Sequence, residues 1–258
     1  MSMRLLDFPV LIALVSLVLL SLAARGGVAL ARRHEKLGSA ERDDFSVVLG
    51  ATLTLLGLII GFTFSMALSR YDERKSQEEG EANALGTAYL RADLLPAPHD
   101  AKLRAVLAEY ARVRVAHYDK RQYEGAAADA LTQQGAALQG RLWATVLAGS
   151  RIDPTPLTPL VVSGINDVIN AQGLAQAAWW NRIPVSAWIL MLAIGVCSTG
   201  MLGYTAHNTG RDRRLIYILP LVVSLSFLLI ADIDSPRGGL IRVVPENLLS
   251  FVASLPPS

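Results

Sequence analysis

From Val47 to Leu68 the chain reads VVLGATLTLLGLIIGFTFSMAL, with no charged residue and no proline. At about 1.5 Å of rise per residue, this run is long enough to cross the hydrocarbon core of a bilayer as a helix. It runs on without a helix breaker into the polar segment SRYDERKSQEEGEANALGTAYLRADLL, and no proline occurs between Pro9 and Pro96. One helix is therefore expected to begin in lipid and continue into water. Such a helix suits the wall of a pore.

Three further apolar segments run from about Phe8 to Ala24, Ile183 to Tyr204 and Leu215 to Ala231. The first resembles a signal peptide, with Arg4 before it and Ser21-Leu22-Ala23 as a small-x-small site. Its apolar core exceeds the ~7–15 residues of a signal h-region, so it reads as a retained first span. A hydrophobic content of 52% fits four spans, and a net charge of +2 gives no reason to expect a nucleic-acid partner. The single cysteine, Cys197, lies in an apolar run and reads as a small buried hydrophobe. The expected fold class is an all-α integral membrane protein. It has four transmembrane helices and a helical extramembrane block at about 70–182, in one domain covering 1–258.

Within that block, Leu94-Leu95-Pro96-Ala97-Pro98 should end the long second helix. Asp100 should cap a new one, whose apolar positions Leu103, Val106, Leu107, Tyr110 and Val113 follow helical spacing. A further helix is expected over about 124–147, broken by Asp153-Pro154-Thr155-Pro156. Another over about 159–180 leads into the third span. Trp179-Trp180 read as interfacial aromatics, and Gly26-Gly27 and Gly238-Gly239 as turn glycines. Strand signals are absent.

Chemistry is sparse. His34, His99, His117 and His207 fall in four different elements without metal-ligand spacing. No phosphate-binding glycine loop, nucleophile elbow or HExxH pattern occurs. No enzyme activity, cofactor, catalytic residue or metal site is expected. The four spans, as bounded above, hold no ionisable residue, which argues against a proton- or ion-coupled transporter.

At about 100° per residue, Thr54, Leu58, Phe62, Ser65, Ser69, Asp72, Ser76, Asn83 and Thr87 fall on one stripe of the second helix. Its membrane half narrows to Leu58 and Phe62; its outer half is small and polar. A ring of such helices would enclose a duct with a hydrophobic constriction, which can gate by dewetting. The first five would line pore and neck, and Asp72, Ser76, Asn83 and Thr87 an inner vestibule. The competing reading is that the stripe packs against neighbouring spans. On another face Gly50, Gly57 and Gly61 share helical spacing, Gly57 to Gly61 forming a GxxxG that lets helices approach closely. Asp72, Glu73, Glu78, Glu79 and Glu81 near the mouth would favour cations, but Arg70, Arg74 and Lys75 are interleaved with them. The run reads equally well as a solvated face with i,i+4 pairs, so charge selectivity is left open.

The order of motifs resembles the bestrophin superfamily, and more closely the bacterial bestrophin-like domain proteins. Gly61-Phe62, then Ser69-Arg70-Tyr71 and Glu73-Arg74, is similar to the bestrophin second span. EANALGTAYLRADLLP at 81–96 matches the bestrophin-like group most distinctively. Leu103 to Ala111, Arg182-Ile183-Pro184-Val185, and Ala231-Asp232-Ile233-Asp234-Ser235-Pro236 with Gly238 and Gly239 resemble later family motifs. The resemblance implies a neck at Thr54, Leu58 and Phe62, with a threonine at one of its three rings. It implies a pentamer and a cytoplasmic location for both termini and the central block. The acidic calcium clasp of animal bestrophins has no counterpart, so calcium gating is not expected.

Basic residues are nearly balanced between the two sides of the membrane. They lean weakly toward cytoplasmic short loops, and the expected orientation follows the resemblance instead. The expected function is a passive, homo-oligomeric ion channel in the bacterial inner membrane, with the lipid bilayer and a small permeant ion as partners. The alternative is a non-conducting oligomeric scaffold or sensor that binds a partner through its helical block.

Overall fold

The computed structural model describes residues 8–33, 38–118, 126–152, 154–208, 214–235 and 239–256. Its longest element is the helix anticipated from Val47 onward. This helix, α2 (Ser39–Arg91), follows α1 (Pro9–Ala31). Next come α3 (His99–Tyr118), α4 (Ala126–Ile152), α5 (Thr158–Trp180), α6 (Val185–Asn208), α7 (Ile218–Asp234) and α8 (Glu246–Ser254). Strands are absent among the described residues. Four helical segments are long and apolar enough to cross a membrane. The chain divides into two compact units, one of Met1–Tyr71 with Arg182–Arg242 and one of Asp72–Asn181 with Val243–Ser258. The α2 helix contributes to both.

In the first unit α1 packs on α6 and α7. The α1–α6 crossing is so close that a Cβ built on Gly27 would sit 1.9 Å from the Gly200 carbonyl oxygen, and one on Gly203 would sit 2.0 Å from that of Ala24. Only hydrogen fits at these positions, the small-residue packing expected where lipid supplies no hydrophobic drive. Gly26 and Gly27 are therefore helical residues of α1, not a turn, and the helix continues through Arg25 to Ala31.

The unit's core gathers Leu20, Leu56, Ala67, Trp188, Met191, Phe227 and Ile230, with Trp188 edge-on to Phe227 at 6.0 Å. Buried hydroxyls bond back along their own helices: Ser16 to Ala13 O at 3.0 Å, Thr63 to Ile59 O at 2.7 Å and Thr199 to Gly195 O at 2.8 Å. Cys197 points outward and is exposed, contrary to its expected burial; Ser198 and Thr199 take the inner face of α6 instead.

The helix α7 runs past Ala231 and ends on two buried carboxylates, Asp232 and Asp234. A helix C-terminus disfavours negative charge, so each is held by donors. Asp232 accepts the N–H groups of Leu240 (2.7 Å) and Ile241 (2.9 Å), and Asp234 accepts that of Ile183 (3.2 Å). Gly239 is bent hard against this turn, where a Cβ would lie 2.4 Å from the Asp232 carbonyl oxygen. Gly238 lies outside the described residues.

The second unit is a helical bundle. Its core holds Leu85 and Ala88 of α2, Leu103, Leu107 and Tyr110 of α3, Leu138, Leu142 and Val146 of α4, and Val161, Ile165 and Val168 of α5. After α2 a short 3-10 turn leads to Leu95, extended before Pro96 as proline requires. Asp100 lies inside the first turn of α3, not before it, and accepts a hydrogen bond from Arg104 at 3.3 Å. Trp179 packs edge-on to Tyr118 at 5.3 Å, so of the two tryptophans only Trp180 is exposed. The helix α8, unanticipated from sequence, buries Leu248 and sets Phe251 against Tyr89 at 6.0 Å.

Candidate permeation face on the second helix

Two faces of α2 are distinguished by burial. Leu56, Thr63, Ala67, Arg74, Glu78, Glu81, Leu85, Ala88 and, just past its end, Ala92 are buried. All nine stripe residues, Thr54, Leu58, Phe62, Ser65, Ser69, Asp72, Ser76, Asn83 and Thr87, are exposed. By helical spacing the two sets lie about 160° apart. The chain's own helices therefore do not cover the stripe. Leu58 is 53% and Phe62 66% exposed, although both are large and apolar.

Thr54 interrupts the apolar run less than its side chain suggests. Its hydroxyl donates to Gly50 O at 2.9 Å, one turn back. The donor is thus satisfied within the helix. Gly50, Gly57 and Gly61 are also exposed, and a Cβ on any of them would meet nothing within 4 Å. Within one copy the close glycine packing is at Gly27, Gly200 and Gly203 instead.

Beyond Tyr71 several charged residues of α2 turn away from solvent. Arg74, 1% exposed, donates from Nε to Ala178 O at 3.4 Å. Glu78 holds the start of α8, accepting the Leu248 N–H at 2.9 Å and the Asn247 amide at 2.8 Å. Glu81 is paired with Arg114 of α3 through two hydrogen bonds. Burial disfavours the Arg114 charge, but Glu81 beside it outweighs that and raises the guanidinium pKa. Burial also pushes the neighbouring Tyr110 hydroxyl up to about 12. Glu78 and Glu81 are thus internal ties rather than a solvated helix face. Their partners lie 33 and about 170 residues away in sequence, beyond the reach of i,i+4 reasoning.

Among the described residues no group of His, Cys, Asp and Glu is arranged to hold a metal ion. An open groove of about 680 Å³ lies in the bundle, lined by Trp143, Pro154, Thr158, Pro159, Val162 and Asn166 among others. Among the described residues no titratable side chain lines it.

These features define a multi-span, all-helical membrane protein whose longest helix leaves one face uncovered along its length. The chain belongs to the bestrophin-like domain family, whose model matches residues 16–248. Its fold is that of a bacterial bestrophin homolog from Klebsiella pneumoniae. One variant of that protein aligns with a TM-score of 0.64 at 15% identity, over 94% of this chain and 97% of that one. A second variant gives 0.62 at 16%, over 93% and 98%. A further structure of the homolog gives 0.62 at 15%, over 96% and 99%. No curated protein matches the chain.

Proposed function

We propose that the chain is the subunit of a homo-oligomeric passive ion channel whose pore is lined by α2, with Thr54, Leu58 and Phe62 as its neck. One observation carries this reading: an uncovered stripe, apolar in the membrane half and polar beyond it, runs opposite the buried face of one continuous helix. Membership of the bestrophin-like domain family supports it. A single α2 cannot enclose a duct, so copies must surround an axis; the family resemblance favours five. Gly50, Gly57 and Gly61, open within one copy, suit contact with a neighbouring copy. Ser65 and Ser69 continue the pore below the neck, and Asp72, Ser76, Asn83 and Thr87 line the vestibule. The chain sits in the bacterial inner membrane with the helical block and termini cytoplasmic. Impermeant maleimide labelling of a cysteine placed at Ala130, in a Cys197→Ser background, tests this orientation in intact cells.

Phe62→Ala decides the pore reading. If the stripe faces a duct, the change widens a hydrophobic constriction and lowers its dewetting barrier. Flux from liposomes should rise while the oligomer stays folded. If the stripe instead packs against another helix, the lost aromatic lowers thermal stability, by an amount comparable to the roughly 3–5 kcal/mol such truncations cost in soluble cores, and flux does not change. Ile59→Ala, on the partly buried side, is the control and should leave flux unchanged.

A further inference from the structure

The outer face of α1 changes character once along its length. Leu11, Val18 and Leu22 recur on it at helical spacing, all exposed and apolar, opposite the buried Leu20, Ala24, Val28 and Ala31. In a bilayer this stripe meets lipid. The same register then brings Arg25, Ala29 and Arg32 onto the stripe, with Arg33 beside them, and all four are exposed. Arg25 lies about 9 Å inside the end of α1 at Ala31, where the apolar stripe stops. Among the described residues none of the three arginines makes an ion pair or a side-chain hydrogen bond. The nearest described carboxylate in sequence, that of Glu41, accepts the Gly38 N–H at 2.9 Å. Between the arginines the surface is low. Gly26 is exposed, a Cβ on it would meet nothing within 4 Å, and Ala29 adds only a methyl group. Helical side chains lean toward the N-terminus, so Arg32 and Arg33 overhang this notch while Arg25 borders it.

We propose that this end of α1 binds an anionic phospholipid. Its phosphate sits over Gly26 and Ala29 among the three guanidinium groups, and an acyl chain runs along Leu22 and Val18. The inference needs only that α1 spans the membrane and does not depend on the pore reading of α2. A guanidinium stays charged and offers a planar fork of N–H donors that matches two phosphate oxygens. At the edge of the hydrocarbon an ion pair is screened less than in open water. A soluble anion could meet the arginines but would gain nothing from the apolar stripe that leads out of the notch. A phospholipid matches both, because its charge and its chain are joined in the order that the helix presents them.

The test is native mass spectrometry of the full-length, delipidated protein, titrated with phosphatidylglycerol or with phosphatidylcholine. Wild type should retain phosphatidylglycerol about tenfold more tightly, and the triple variant Arg25→Gln, Arg32→Gln, Arg33→Gln should lose about fivefold or more of that affinity. Arg112→Gln, an exposed charge on α3, should leave it unchanged. Gly26→Leu keeps every charge but fills the notch, and should weaken phosphatidylglycerol binding about threefold. It carries the test if the triple variant fails to fold, since its added side chain starts in open space. Equal retention of the two lipids, or a folded triple variant with wild-type affinity, overturns the inference. Gly26→Leu with wild-type affinity also overturns it, because the attraction would then be diffuse charge without a seat. If the chain-free headgroup glycerophosphoglycerol binds as tightly as the lipid, the arginines hold a soluble anion and the lipid assignment fails. A folded triple variant that runs as a smaller oligomer would mean that a second copy covers this face, and overturns the inference as well.

Discussion

Arg114 reaches from α3 to Glu81 on α2, and both side chains are out of water. A buried ion pair is a poor source of net stability but a strong constraint, because removing one partner strands the other charge. Arg114→Met should therefore destabilise the helical block by about 3–5 kcal/mol. Adding Glu81→Leu should recover most of that loss, since an apolar pair can replace a buried ionic one at little cost. Chemical unfolding in mild detergent, followed through the tryptophan fluorescence of the block, measures both. A double variant no more stable than Arg114→Met alone would mean that Glu81 has another essential partner. At this scale the pair was not legible: Glu78, Glu79 and Glu81 next to Arg74 and Lys75 look like surface i,i+4 pairs, and the true partner arrives from another helix.

At the scale of elements, Glu78 of α2 hydrogen-bonds the start of α8, beside the Tyr89–Phe251 ring contact. Glu78 satisfies the Leu248 N–H and the Asn247 amide at the start of α8, where a helix has unbonded N–H groups and favours negative charge. Glu78→Ala removes both bonds and should cost about 1–3 kcal/mol, expressed as local opening of α8. Hydrogen exchange at Leu248 to Val252 should accelerate about tenfold or more, while the α3–α5 core amides keep their protection. Unchanged protection in α8 would mean that Leu248 and Phe251 packing alone holds it. Elsewhere the α1–α6 crossing shows how element contacts escape sequence spacing. Gly27 and Gly203 lie on helices far apart in the chain, whereas the more conspicuous GxxxG of α2 meets nothing within its own copy.

For the whole molecule, the exposed apolar surface of α2 requires a covering. Lipid can supply it on the outside of a helix, but a stripe that turns polar at Ser65 suits water or another copy better. The protein is expected to run as a stable homo-oligomer in mild detergent by light scattering, with a pentamer favoured. Detergent-bound monomer across several detergents and in nanodiscs would sink the pore model, because one copy has too few helices to enclose a duct. A Gly57→Leu and Gly61→Leu double variant should shift the wild-type oligomer toward smaller species if that face meets a neighbour.

Hydropathy and proline placement alone yield the all-helical class, the four spans and the unbroken α2, since lipid solvation and helix propensity act on contiguous residues. The breaks near Pro96 and Pro154 follow from local backbone chemistry as well, and the stripe follows from the 3.6-residue period. Partners distant in sequence lie beyond such rules. Burial of Arg74, Glu78 and Glu81, the docking of α8, the donors that hold Asp232 and Asp234, and the outward turn of Cys197 all depend on which surfaces meet. Whether a charge on a helix faces water or another element is set by the packing of that other element. That packing leaves Asp72 exposed on the stripe while Arg74, two residues on, is buried.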